Sequence, residues 1–118
     1  RSVASELDNP LSLWLVAQAG GEVLGYVGSQ SVMGEADMMN LSVLPAARRR
    51  GIARALVTAL IRALATQGVH SLTLEVRASN GPAKALYESL GFVQVGCRPG
   101  YYLSPKEDGE ILRKEWDL

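Results

Sequence analysis

Apolar runs rich in strand-forming residues, separated by short turns, make up the first third of the chain. The first two runs are predicted to pair as an antiparallel hairpin, because Gly20-Gly21 tolerates the positive φ of a tight turn. A third run ends at Pro45 and completes an antiparallel meander. The strands are predicted over 11–19, 22–30 and 38–44, with the second turn over 33–37.

From Ile52 the apolar positions follow steps of three and four, which predicts a helix with one buried face, ending near Gly68. The stripe consists of Ile52, Ala55, Leu56, Ala59, Leu60, Ala63 and Leu64. The segment 71–77 alternates instead, with Leu72, Leu74 and Val76 on one face and Thr73, Glu75 and Arg77 on the other. The order strand, helix, strand implies a parallel pair with a right-handed crossover.

The last third of the chain predicts a short helix and two more strands. The run Ser79-Asn80-Gly81-Pro82 supplies a cap and an early proline for a helix that stops at Gly91. The residues on one side of this helix are Ala83, Leu86, Tyr87 and Leu90. The final strands are predicted over 92–98 and 110–116, separated by the polar segment 99–109. The predicted fold is therefore a mixed α/β sheet whose first half is antiparallel.

The length and charge of the chain limit the classes of function. Its 118 residues predict a single domain, so any active site lies on or inside one core. Twelve basic and twelve acidic residues cancel, which argues against a nucleic-acid binder held by overall charge. The basic residues cluster at 48–54, where a local positive field suits a small polyanion.

The remaining bulk features predict a soluble, cytoplasmic protein. Cys97 is the only cysteine, so no internal disulfide forms. The sequence contains neither a run as long as a membrane span nor a signal-peptide core. There is no initiator Met, and 3–7 is typical of a helix end broken by Asp8-Asn9-Pro10, so we expect that an N-terminal piece is absent.

The turn Arg48-Arg49-Arg50-Gly51-Ile52-Ala53-Arg54 is the main candidate for a binding site. A glycine turn that opens a helix presents backbone N–H groups and partial positive charge to an anion, so a phosphate-bearing cofactor is predicted. The sequence lacks the Lys and Ser/Thr of a P-loop and the three glycines of a dinucleotide fingerprint, which disfavours a nucleoside triphosphatase or a dehydrogenase.

Several motifs together resemble one enzyme family. Arg48-x-x-Gly51-x-Ala53, after the run 39–43, resembles the acetyl-CoA signature of the GCN5-related N-acetyltransferases, the GNAT superfamily. Downstream, 74–80, 85–92 and Gly100-Tyr101-Tyr102 resemble the RimI-type subfamily, which acetylates the N-terminal alanine of ribosomal protein S18. The motifs cover most of the chain from about Met38 onward.

The resemblance implies acetyl-CoA as co-substrate and a mixed, mostly antiparallel sheet that splays between two central parallel strands and is flanked by helices. Strands that part leave edge N–H and C=O groups for the amides of a pantetheine arm. The implied cofactor-binding residues are Leu41, Ser42 and Val43 for the arm, Arg49, Arg50, Gly51, Ile52, Ala53 and Arg54 for the pyrophosphate, and Asn80 as a further CoA contact.

The resemblance also implies two catalytic residues. A free α-amino group is mostly protonated at neutral pH, so acetyl transfer needs a base. Glu75 receives this role, directly or through water, and its apolar neighbours would partly desolvate it, which favours proton uptake by a carboxylate. Tyr87 is implied as the proton donor to the leaving CoA thiolate, although an exchange of the two roles stays open.

Each of these residues also has a structural interpretation. An arginine run is most often a solvated surface, Glu75 is compatible with a pairing to Arg77 or another cation, and Tyr87 with a core aromatic. Cys97 is expected to be a small buried residue and His70 a solvated loop residue, with no metal site.

The expected acceptor is the N-terminal alanine amine of a protein such as ribosomal protein S18, attacked directly in a ternary complex. Tyr101 and Tyr102 are candidates for the wall of its binding site. We expect a monomer that binds neither nucleic acid nor a membrane. Two alternatives stay open: an acetyltransferase for a small-molecule amine or lysine side chain, and a non-catalytic acetyl-CoA-binding module. The usual N-terminal strand and helix of the family are mostly missing, so a single domain with an incomplete acceptor site is predicted.

Overall fold

A computed structural model describes residues 11–48, 50–103 and 106–117 of the chain. In these residues, six strands form one sheet in the order β1-β2-β3-β4-β6-β5, and two helices pack on it. The elements are β1 (Leu11–Ala19), β2 (Glu22–Val32), β3 (Glu35–Val43), a 3₁₀ turn (Pro45–Ala47), α1 (Ile52–Thr66), β4 (Ser71–Arg77), α2 (Gly81–Ser89), β5 (Val93–Leu103) and β6 (Lys106–Glu115). The mixed α/β class with an antiparallel first half is confirmed.

The meander of β1, β2 and β3 is confirmed, but the predicted second turn is too long. The turn itself is Met33-Gly34, with φ of 52° and 82°, and β3 begins at Glu35 rather than at position 38. The predicted turn over 33–37 therefore included three residues, 35–37, that belong to the strand. Tertiary pairing decides this, since Ala36 is buried and all three residues pair with both neighbouring strands.

The central helix, strand and helix lie where their patterns predict them. Asn80 caps α2, its side-chain oxygen accepting a hydrogen bond from the Ala83 N–H at 3.2 Å. Both helices pack against the face of the sheet that carries Leu72 and Leu74, and they form one buried cluster with it. Its members include Val27, Ala36, Leu56, Val57, Leu60, Leu64, Leu72, Leu74, Val76, Tyr87, Phe92 and Leu112.

The predicted polar loop over 99–109 is wrong, because the last two strands continue through most of it. β5 and β6 pair as far as Leu103 with Lys106. An irregularity in the register between Arg98 and Tyr102 interrupts the alternation, and much of β5 is exposed, so polar residues occupy strand positions. The helix predicted over 3–7 lies outside the described residues.

Truncation of Leu60 in α1 is expected to destabilise the fold strongly. The side chain has no exposed surface, so Leu60→Ala removes buried methyl groups and leaves a cavity. We expect the free energy of unfolding, measured by urea denaturation, to fall by about 2–5 kcal/mol. Leu103→Ala is the matched control because Leu103 is 80% exposed, and an equal loss in both variants would contradict the assignment of the core.

Candidate active site

The two parallel central strands separate after a short contact. β3 and β4 pair only at Glu35 with Ser71, Ala36 with Leu72 and Asp37 with Thr73. Beyond Asp37, β3 stays paired to β2, and β4 stays paired to β6 up to Arg77. Within the described part of the chain, the edges that face each other therefore have no partner strand, and the predicted splay is present.

A bulge lies at the point of separation. Gly28 of β2 pairs with Asn40 and Ser29 pairs with Met38, so Met39 is an extra residue in β3. A bulge bends its strand and increases the local twist, which carries the following residues of β3 away from β4. The groove between the strands thus has a local structural cause in β3 itself.

The groove contains a cavity of about 340 Å³ between β3, β4 and α2. Four predicted site residues from three elements come together there: Leu41, Glu75, Asn80 and Tyr87. Met38, Val76 and Tyr102 also line this cavity. Unpaired main-chain groups along one wall and two ionisable side chains along the other suit a ligand with amides and a reactive carbonyl.

A second cavity, of about 310 Å³, opens where α1 begins. Gly51 lies there at φ 77°, as the N-cap of α1, and no side chain caps the helix. The first N–H groups of the helix are therefore available to an anion, and the partial positive charge of the helix end favours one. The predicted residues that line this cavity are Val43, Gly51, Ile52, Ala53 and Arg54.

Three predicted cofactor residues are not placed in either cavity. Ser42 and Arg50 are exposed and line neither one, and Arg49 lies outside the described residues. Arg48, which was not among the predicted cofactor-binding residues, does lie at this site. It lines the cavity at the start of α1, and its Nε donates to the Val43 carbonyl oxygen at 3.3 Å.

Replacement of Gly51 by valine is expected to weaken binding of acetyl-CoA. A β-branched residue is strained at φ 77°, and its side chain would enter the open space in front of the helix, where no atom lies within 4 Å of an added Cβ. We expect the Kd for acetyl-CoA, measured by calorimetry, to rise by about tenfold, the value of one lost charge-assisted hydrogen bond.

Gly20→Val is the matched control for this variant. Gly20 also has a positive φ, of 59°, with open space around an added Cβ, but it lies in the turn between β1 and β2. Both variants should lose stability for the same reason. An equal change in Kd in the two variants would show that the effect at Gly51 is not local to a phosphate site.

Glu75 lies on the face of β4 opposite the helices, with its side chain 23% exposed. Its Oε1 forms an ion pair with Arg98 Nε at 3.1 Å. Its Oε2 is buried and has no hydrogen-bond partner among the described residues. The pairing with a cation is therefore present, with Arg98 as the cation. One oxygen is held by the guanidinium and the other remains free to take a proton.

Tyr87 is only 6% exposed and packs edge-on against Phe92, with ring centroids 5.5 Å apart. Among the described residues, its hydroxyl donates only to the sulfur of Met38, a weak acceptor, over a long distance of 3.9 Å. Burial raises the pKa of Tyr87 above its usual value of 10.0, so the phenol is protonated at neutral pH. Tyr87 is thus both a core aromatic and a protonated donor at the groove.

A further cavity, of about 490 Å³, adjoins the groove and shares Glu75 and Tyr102 with it. Tyr101 and Tyr102 line this cavity with their rings at 84° and 5.0 Å, and Arg77 lies 4.3 Å from the centre of the Tyr102 ring. Burial, and then the charge of Glu75, raise the pKa of Tyr102. We call this space the acceptor-side cavity.

Sequence reasoning missed two charged residues of the acceptor-side cavity, Asp37 and Arg98. Asp37 was assigned to a turn, and no motif singled out Arg98, which ends the strand predicted over 92–98. The alternation of β4 predicted the face on which Glu75 lies. The strand register that brings Asp37 and Arg98 to the same face does not follow from the sequence alone. Cys97 is exposed, contrary to the expected buried position, and His70 is exposed as expected.

Comparison with known proteins assigns the chain to a family. The profile of the acetyltransferase (GNAT) family matches residues 2–92. The chain is 46% identical over 89 residues to the [ribosomal protein bS18]-alanine N-acetyltransferase of Escherichia coli (strain K12), a match that covers 75% of this chain and 59% of that protein. The chain therefore belongs to the GNAT acetyltransferase family, although it spans less than two thirds of the length of this relative.

Solved structures agree with the fold. The crystal structure of the ribosomal-protein-S18-alanine N-acetyltransferase from Escherichia coli superposes with a TM-score of 0.87 at 36% identity, over 98% of this chain and 76% of that one. The structure of Ard1 from Thermoplasma volcanium superposes with a TM-score of 0.83 at 27% identity, over 89% of this chain and 71% of that one.

Among the described residues, no helix has the length and apolar character needed to cross a membrane.

Proposed function

We propose that this chain transfers the acetyl group of acetyl-CoA to the N-terminal alanine amine of a protein such as ribosomal protein S18. The observation that carries the proposal is the position of Glu75, which lines both the groove and the acceptor-side cavity. A donor and an acceptor that enter from the two sides would meet at this carboxylate. The similarity to the S18-alanine N-acetyltransferase of Escherichia coli, in sequence and in structure, favours an N-terminal amine as the acceptor.

The cofactor site is proposed to rely on main-chain groups. The free edge of β3 from Met38 to Val43 pairs with the amides of the pantetheine arm, and the start of α1 from Gly51 to Arg54 binds the pyrophosphate. Asn80 uses its side-chain oxygen as the cap of α2, so its amide nitrogen is the group left to donate to the ligand. When bound, acetyl-CoA supplies the activated acetyl group.

The chain's own residues are proposed to move two protons. Glu75 Oε2 accepts a proton from the acceptor ammonium, and the nitrogen lone pair that is freed forms the new bond to the acetyl carbon. The carbon–sulfur bond breaks, and Tyr87 donates its phenolic proton to the departing sulfur. The nitrogen then loses a second proton, which passes through solvent to the Tyr87 oxygen and restores the phenol. Glu75 releases its own proton to solvent.

The structure favours this assignment of roles over the reverse. A general base must be unprotonated before it can accept a proton, and the pKa of Tyr87, raised by burial, opposes formation of the phenolate. The free Oε2 of Glu75 has no competing hydrogen bond among the described residues. Glu75 is therefore the proposed base and Tyr87 the proposed acid.

A panel of acceptors tests the proposed function directly. The protein is incubated with acetyl-CoA and a peptide beginning with the S18 terminus, the same peptide with a blocked terminus and a free lysine, or a small amine, and released CoA thiol is followed. Thiol release with the free terminus alone supports the proposal. Release with lysine or the small amine alone supports a different acetyltransferase, and binding of acetyl-CoA without release supports a non-catalytic module.

The site of action and the state of assembly follow as parts of the same proposal. Acetyl-CoA and a ribosomal protein acceptor are both met in the cytoplasm, so we place the activity there, with the chain acting as a monomer that needs neither nucleic acid nor a membrane. Sedimentation of the purified protein at the concentration used for the assay tests the monomer. A dimer whose dissociation abolishes turnover would contradict it.

A further inference from the structure

The two ends of the site carry charge of opposite sign, although the chain as a whole has a formal net charge of zero. The start of α1 is basic, with Arg48, Arg50 and Arg54 exposed around the helix end. The acceptor side, around the point where β3 and β4 separate, is acidic. Its described charged side chains are Glu35, Asp37, Glu75 and Glu115 against Arg98 and Arg113.

Both guanidinium groups on the acceptor side are already paired. Arg98 bonds Glu75 at 3.1 Å, and Arg113 bonds Glu35 and Glu115 at 2.9 Å each. Asp37 has no ion pair with any described residue, and it is exposed in the lining of the acceptor-side cavity. Four carboxylates against two guanidinium groups leave two negative charges on this side. One is on Asp37, in the lining of the acceptor-side cavity, and the other is shared in the cluster of Arg113 with Glu35 and Glu115.

The strand register fixes the position of Asp37 relative to the proposed base. Asp37 lies opposite Thr73 in the last pair before the strands separate, and Glu75 follows Thr73 by two residues on the same face. Neighbouring strands lie about 4.8 Å apart and rise about 3.3 Å per residue, so the Cα atoms of Asp37 and Glu75 are roughly 8 Å apart. Both side chains line the acceptor-side cavity, within the reach of a peptide's terminal amine and a long side chain on the next residue.

We infer that Asp37 binds a cationic side chain close to the N-terminal amine of the acceptor, so that the site selects basic N-terminal segments. This inference rests on the proposed function. Glu75 takes the amine, and Asp37 takes a lysine or arginine side chain beside it. The acidic field on this side also attracts a basic acceptor, while the basic end at α1 attracts the anionic cofactor to the other side.

The test compares two peptides that differ only at the second residue, Ala-Lys and Ala-Gln, on the unmodified protein and on Asp37→Asn. We expect the unmodified protein to acetylate the Ala-Lys peptide with a kcat/KM about fivefold higher, the size expected of one accessible ion pair. Asp37→Asn should remove this preference by lowering kcat/KM for Ala-Lys alone. Higher salt should reduce the preference in the unmodified protein.

Two controls separate a specific effect from a general one. Glu22→Gln removes one exposed carboxylate at the start of β2 and should leave the preference intact. Asp37→Lys should reverse the preference toward an Ala-Glu peptide, which restores an opposite pair. Urea denaturation of each variant shows whether a change in rate reflects loss of the folded protein.

The outcomes distinguish the inference from the function on which it rests. Acetylation of both peptides with equal kcat/KM, or an equal loss for both in Asp37→Asn, would overturn the role of Asp37 and leave the proposed function standing. Binding of acetyl-CoA with no acetylation of any peptide would overturn the proposed function and this inference with it. A preference for Ala-Lys that disappears only in Asp37→Asn supports both.

Discussion

The Glu75→Gln variant is expected to lose almost all turnover while it still binds acetyl-CoA. Glutamine is nearly isosteric with glutamate, and its side-chain oxygen can still accept the hydrogen bond from Arg98, but an amide does not take a proton from an ammonium. We expect kcat/KM to fall by about 10²–10⁴-fold, the usual contribution of a general base. Initial rates of thiol release, with calorimetry for the Kd of acetyl-CoA, measure the two quantities.

Glu88→Gln provides the control for Glu75. Glu88 is exposed on α2 and lines neither the groove nor the acceptor-side cavity, so the same chemical change should leave turnover and cofactor affinity as they are. Unchanged turnover in Glu75→Gln would remove this carboxylate from the mechanism. A parallel loss of cofactor binding would instead assign it to the binding site.

The Tyr87→Phe variant is expected to lower kcat with little effect on stability. The hydroxyl's contact is a long one to the sulfur of Met38, so its removal costs the folded state little, and the ring keeps its packing against Phe92. The departing thiolate would lose its proton donor, and we expect kcat to fall by about 10²-fold. Steady-state kinetics and urea denaturation of the same preparation measure both effects.

Tyr26→Phe makes the same chemical change away from the groove, because Tyr26 is partly exposed on β2 and packs near Trp14. Its kcat should equal that of the unmodified protein. If Tyr87→Phe retained full kcat, a water or another group would have to protonate the sulfur. If it unfolded as easily as Leu60→Ala, the loss of rate would be structural.

Local patterns were sufficient to predict most of the fold. The stripe from Ile52 to Leu64, the alternation over 71–77 and the Asn80 cap each reflect a short-range rule that tertiary contacts reinforce. The errors lie where distant strands decide the conformation. Residues 35–37 become a strand because β4 pairs with them, and the strand continues past Arg98 because β6 supplies a partner across the irregular register.

The residues of the candidate site fall into the same two groups, those that local patterns identify and those that distant strands bring together. The motifs that resemble the family singled out the glycine turn at Gly51 and the proposed catalytic pair, Glu75 and Tyr87, because a motif fixes the spacing of its residues along the chain. Motifs did not single out Asp37 and Arg98, because only the strand register of β3 and β5 brings them to the cavity that Glu75 also lines. The resemblance therefore named residues of the proposed cofactor site but not these two charged residues of the acceptor-side cavity.

The free edge of β3 has a consequence for how such proteins diversify. If the peptide backbone recognises the cofactor, most substitutions along that strand keep the contact, since every residue other than proline offers the same N–H and C=O. Side chains on β3, among them Asp37 and Met39, are then free to drift. Over evolutionary time, one donor molecule can be retained while the amines that receive its acetyl group are exchanged.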